Sequence, residues 1–150
     1  MGQKEFNEII DFAIEREQEA VKFYGELQGP VHFKARKEML KELEDMEKGH
    51  VRALENIRAG ITSIREIPKT QNLKVSDYLV AAKPAPEMSY QDIIITAMKR
   101  EEASSQLYAD LANLSAEPAI KELFQRLTAE EQGHKLHFEK IYNDEVLKDN

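Results

Sequence analysis

Cysteine is absent from the 150-residue chain, which excludes disulfides, thiolate nucleophiles, zinc–thiolate sites and iron–sulfur ligation. Any metal must therefore be held by carboxylate and imidazole. Glycine and proline are scarce, at 6 and 5 residues, which excludes a collagen-like or low-complexity chain and favours helix. Long apolar runs are missing as well. Stretches such as Ile93-Ile94-Ile95 extend only a few residues, so neither a membrane span nor a secretory leader is expected, and the expected location is cytoplasmic. Basic clusters are also lacking: lysine and arginine are scattered over a chain of net charge −7. Nucleic acid requires a concentrated basic surface, so it is not an expected partner.

What is present is helical periodicity. The length suits one domain spanning residues 1–150 with its own core. The first amphipathic segment runs from Lys4 to Leu27, with Phe6, Ile10, Ala13, Ala20, Tyr24 and Leu27 on one stripe. Gly29-Pro30 ends it. The second runs from about Lys34 to Ala59, with Leu40, Leu43, Leu54 and Ile57 inward. The region from Thr62 to Met88 breaks the pattern with Pro68, Pro84 and Pro86, and only Val75–Ala82 suits a short helix. Ser89 and Asp92 open the third segment in the manner of a capping box, with Tyr90, Ile94, Ala97, Tyr108 and Leu111 inward. The fourth follows Ser115 and Pro118 and places Ile120, Phe124, Leu127, Phe138 and Ile141 inward. Two short turns flanking one long connection predict an all-α four-helix bundle with a single crossover. A link of this length could also permit segment exchange between subunits.

An internal repeat carries more information than the periodicity. Shifting Ile9–Ile57 by 84 residues, without a gap, matches 16 of 49 positions, against about three or four by chance. The matches include Arg16/Arg100, Glu17/Glu101, Tyr24/Tyr108, Glu47/Glu131, Gly49/Gly133 and His50/His134. The halves read as duplicated helical hairpins.

The matched polar residues fall on the apolar stripes. Glu17 lies between Ala13 and Ala20, and Glu101 between Ala97 and Ser104. Glu47 and His50 interrupt Leu43…Leu54, and Glu131 and His134 interrupt Leu127…Phe138. Ionised carboxylates buried without compensation would cost many kcal/mol, so something cationic belongs among them. Two divalent ions balance four glutamates, and each Glu-x-x-His sets its ligands about 4.5 Å apart along one helix face. Mixed oxygen and imidazole ligation suits iron or manganese, and iron makes such a site redox-active.

One Glu from each of two helices and a Glu-x-x-His from each of the others resembles the ferritin-like di-metal pattern. The sequence is similar in particular to the di-iron domain of the rubrerythrin family. The carriers are Glu17-x2-Ala20-x3-Tyr24, Glu47-Lys48-Gly49-His50, Glu101-x6-Tyr108 and Glu131-Gln132-Gly133-His134. The resemblance implies two iron ions as cofactor, with manganese or zinc as substitutes. Glu47 and Glu131 would bridge them, Glu17 and Glu101 would be terminal, and His50 and His134 would complete the coordination. Tyr24 and Tyr108 would donate hydrogen bonds to ligand carboxylates. It further implies hydrogen peroxide or dioxygen as oxidant, an external electron donor such as a rubredoxin, and a homodimer. Two departures stand out. Ser104 occupies the position where typical rubrerythrins carry an extra Glu used in redox switching, and no cysteine-ligated rubredoxin-like module is present. Three functions share these ligands: a peroxide or dioxygen reductase, a ferroxidase that passes Fe(III) onward, and a non-catalytic bundle held together by metal.

The remaining polar residues read as structural. His32 and His137 suit surface or packing roles; Glu44, Glu102 and Glu130 suit solvated helix faces; Met39, Met46, Met88 and Met98 suit core or flanking packing.

Overall fold

A computed structural model describes residues 2–29, 34–70, 73–80 and 89–147. Among these residues there are four long helices and no strand: α1 (Gly2–Leu27), α2 (Lys34–Arg58), α3 (Tyr90–Leu114) and α4 (Pro118–Ile141). This is the element set of a ferritin-like four-helix bundle. The chain divides into two compact units, Met1–Ile67 and Pro68–Asn150, each built on one helical hairpin.

In the first unit the stripe read from the sequence is the buried one. Phe6, Ile10, Ala13, Ala20, Tyr24, Leu27, Leu40, Leu43, Leu54 and Ile57 are all buried. Each fully buried Leu, Ile or Phe side chain contributes about 1.5–3 kcal/mol, so this stripe rather than helix propensity fixes the hairpin. The two helices are tied at their surface by Arg58 Nε donating to Asp11 Oδ1 at 2.8 Å. α2 stops at Gly60, whose φ of 77° is the left-handed conformation that only glycine adopts without strain. Its N–H donates to the Ile57 carbonyl, and the Thr62 N–H to that of Asn56.

In the second unit, Ser89 is the N-cap of α3 and its Oγ accepts from the Asp92 N–H at 3.1 Å. Pro118 opens α4, where its missing N–H costs no helical bond. Ile94, Ala97, Tyr108, Leu111, Ile120, Phe124, Leu127 and Phe138 are buried, and Ile141 is only half-buried at the helix end. Tyr108 and Phe124 stack across the hairpin with ring centroids 6.3 Å apart. The Tyr90 side chain, Pro30, His32, Pro84, Pro86 and Met88 lie outside the described residues.

The expected short helix at Val75–Ala82 is shorter and tighter than the sequence suggests. A single 3-10 turn covers Val75–Tyr78, no side chain caps it, and Leu79 is already extended. Its anchor is tertiary: the buried Tyr78 hydroxyl donates to Asp110 Oδ2 on α3 at 2.6 Å. Residues 81 and 82 lie outside the described residues.

Candidate metal centre

The hairpin of the first unit carries three ligand-type side chains at mid-helix. Glu17 comes from α1, and Glu47 and His50 come from successive turns of α2. Their relative exposures are 1%, 0% and 3%, and each offers a ligand atom within 4.8 Å of the others'. His50 Nδ1 lies 3.0 Å from Glu17 Oε2 and 3.8 Å from Glu47 Oε2. Nδ1 is thus the ring atom turned toward the carboxylates.

The second unit repeats the arrangement. Glu101 on α3 and Glu131 and His134 on α4 are 2%, 1% and 4% exposed, again with ligand atoms mutually within 4.8 Å. His134 Nδ1 approaches Glu101 Oε2 at 3.4 Å. The approach of histidine Nδ1 to the glutamate of the preceding helix thus recurs 84 residues on, in register with the sequence repeat.

The donor set fits a divalent cation. Two carboxylates and one imidazole per triad supply a charge of −2, which one such ion balances. Desolvating two carboxylates side by side otherwise costs several kcal/mol per ion. Oxygen with imidazole and no thiolate is a donor set for iron or manganese. All six residues singled out in the sequence occupy these two triads.

Tyr24 and Tyr108 are each 1% exposed and stand two turns beyond Glu17 and Glu101 on the same helices. Arg16 and Arg100 immediately precede those two glutamates. Arg16 lies over the Phe12 ring at 5.7 Å, while Arg100 is buried at 6% exposure. The repeat includes this arginine pair, and that match is the signal pointing to it. His137 is exposed, in keeping with a surface role.

Two of the acidic side chains expected on solvated faces are set differently. Glu44 is only 13% exposed and receives hydrogen bonds from Gln28, Lys41 and Lys48. Room for it comes from Gly25, where a Cβ would stand 2.8 Å from Glu44 Oε2. Burial alone would push the Glu44 carboxyl up, but the lysine hydrogen bonds outweigh it and hold the group below the ordinary value. Glu130 is half-buried. Glu102 is exposed as expected and pairs with Lys135, which joins α3 to α4 beside Glu101 and His134. Among the methionines, Met39 and Met98 are half-buried and Met46 is exposed.

A family model described as Rubrerythrin matches residues 8–142. The chain belongs to the Rubrerythrin family. All six triad residues and both tyrosines fall inside the matched region. Membership agrees with the four-helix, ferritin-like content and with a buried Glu/His set suited to metal. No curated protein matches it. Among solved structures it is similar to a hypothetical protein from Pyrococcus furiosus. The two share 26% identity and a TM-score of 0.69, over 92% of this chain and 88% of the other. The rubrerythrin-type fold is therefore supported by both sequence and structure. No helix among the described residues is long and apolar enough to cross a membrane.

Proposed function

We propose that this rubrerythrin-family chain is a non-haem di-iron oxidoreductase that reduces hydrogen peroxide or dioxygen and is recharged by a separate electron donor. The observation that carries the reading is the pair of equivalent, fully buried Glu/Glu/His triads on an 84-residue repeat. In this reading Glu17, Glu47, His50, Glu101, Glu131 and His134 would hold two iron ions. When bound, an iron pair would supply the two electrons that, with two protons, reduce hydrogen peroxide to two waters.

The side chains provide the frame. The carboxylates fix charge and spacing in surroundings from which water is excluded, where their field is stronger than in solvent. Each histidine presents Nδ1 toward the carboxylates, and with a metal bound at that atom Nε2 would carry the ring proton. Tyr24 and Tyr108 act as hydrogen-bond donors that orient ligand carboxylates. Ser104 and its repeat partner Ala20 add no fifth carboxylate, so the two halves present matched donor sets.

The test is anaerobic loading with Fe(II), two per chain, followed by stopped-flow absorbance against peroxide and against dioxygen. The expected result is rapid oxidation of a centre that stays bound and can be reduced again through repeated cycles. Preference for dioxygen with Fe(III) leaving the protein would replace this reading by a ferroxidase. Unchanged function with zinc in place of iron would leave a structural metal protein.

A further inference from the structure

On the face of the first hairpin, α1 and α2 enclose a groove of about 390 Å³ lined by Gln18, Val21, Lys22, Lys48, Val51 and Arg52. Its floor is two half-buried valines, and three of its six side chains are cationic, with no acidic one among them. This is notable on a chain of net charge −7. Lys22 reaches Glu26 only at 4.0 Å, with both side chains exposed. Lys48 contacts Glu44 at 3.2 Å, a carboxylate that also meets Lys41, which pairs in addition with Asp45 at 3.2 Å. The lining itself thus carries three cations and no acid, with Glu26 and Glu44 standing outside it as partners of Lys22 and Lys48.

The duplication supplies an internal control. Eighty-four residues on, the same six positions are Glu102, Ser105, Gln106, Gln132, Lys135 and Leu136. The formal charge is +3 in the first hairpin and zero in the second, where Glu102 and Lys135 cancel. The halves share their triads and differ in this surface. The groove is also built on the turns that carry the first triad. Gln18 follows Glu17, Lys48 follows Glu47, and Val51 and Arg52 follow His50.

We infer that this groove is the docking face for the electron donor, and that the donor is a protein presenting an acidic surface. The inference rests on the proposed function, which requires an external donor. Charge complementarity of this kind raises encounter rate and fixes orientation, and the two valines give the contact an apolar centre. A donor seated here would meet residues that adjoin the triad residues Glu17, Glu47 and His50 in the chain.

The test uses rubredoxin as the acidic probe, with zinc replacing its iron, so that binding is read without any electron transfer. Affinity is measured by calorimetry for the metal-loaded wild type and for the variant Lys22→Glu/Lys48→Gln/Arg52→Glu. Glutamine is chosen at position 48 to avoid placing a new acid beside Glu44. A control variant, Lys121→Glu/Lys140→Glu, alters two lysines of α4, the first half-buried and the second exposed. Expected are a loss of affinity of more than tenfold in the groove variant and less than threefold in the control. Wild-type affinity should fall steeply as salt rises from about 0.02 to 0.2 M, over which the Debye length shortens about threefold. Equal losses in both variants, salt-independent binding, or no binding by the wild type at low salt would each overturn the inference. Iron content and turnover of peroxide and of dioxygen with a small chemical reductant are followed in parallel. Turnover absent in wild type refutes the proposed function, whereas intact turnover with unaltered probe affinity in the groove variant refutes the docking face alone.

Discussion

Replacing Glu47 by Gln should move the metal-free and metal-loaded proteins in opposite directions. Glu47 is 0% exposed, and without a cation its charge sits beside that of Glu17 in a desolvated interior. Glutamine has nearly the same shape and no charge, and His50 keeps its contact with Glu17 at 3.0 Å. The metal-free variant should therefore gain about 1–2 kcal/mol, the partial relief of a buried-charge penalty that amounts to several kcal/mol. For a chain of this size that is about 2–8 °C in Tm. In the wild type, each metal ion present at about 100 times its Kd adds about 2.7 kcal/mol, or about 5–11 °C. The variant lacks one of the proposed ligands and should lose most of that gain. Scanning calorimetry with Mn(II) and with chelator checks both arms without oxidation of the metal. A variant that melts below the wild type when metal-free, yet gains as much from metal, would refute the charge-compensation argument.

Three further outcomes are expected. Glu131→Ala should bind fewer than two Fe(II) per chain in anaerobic titration, because it removes one of the proposed ligands. Glu44→Gln should be less stable than the wild type at neutral pH, with the difference shrinking as pH falls below about 4.5. The sign follows from a folded-state value held under the ordinary carboxylate value of 4.5, so the contribution is present above that pH and lost below it; urea titration of the metal-free proteins at several pH values measures it. Burial, and then the hydrogen bond to Asp110, pushes the Tyr78 hydroxyl far above the ordinary phenol value of 10.0. Tyr78 should consequently resist ionisation in an ultraviolet titration, and Tyr78→Phe should remove one tyrosine's worth of the late fraction. The bond's contribution holds below pH 10 and is lost as pH rises above it. The same variant should lose about 1–2 kcal/mol of stability.

Much of the fold is legible because burial alone dictates the 3.6-residue period, as with Leu40, Leu43, Leu54 and Ile57 on α2. The α3 start is legible because Ser89 supplies a local capping hydrogen bond. The triads are legible for a different reason: a carboxylate on an apolar stripe is costly, and the 84-residue register shows the cost incurred twice in the same pattern. Glu44 is not legible this way. Its burial depends on the missing side chain of Gly25, 19 positions earlier and on another helix. The turn at Val75–Tyr78 is held by Asp110 rather than by its own sequence, so local propensity overstates its length. The basic groove is hidden as well, since Lys22 lies 26 residues before Lys48 and only hairpin packing brings them together.

A crystal structure of anaerobically Fe(II)-loaded protein, with anomalous scattering measured at the iron edge, tests the central claim most directly. The account predicts two iron peaks per site about 3.5–4 Å apart. Glu47 and Glu131 should contact both, and His50 and His134 should each bind one through Nδ1. A single peak, or two ions each confined to its own triad with no shared carboxylate, would contradict it.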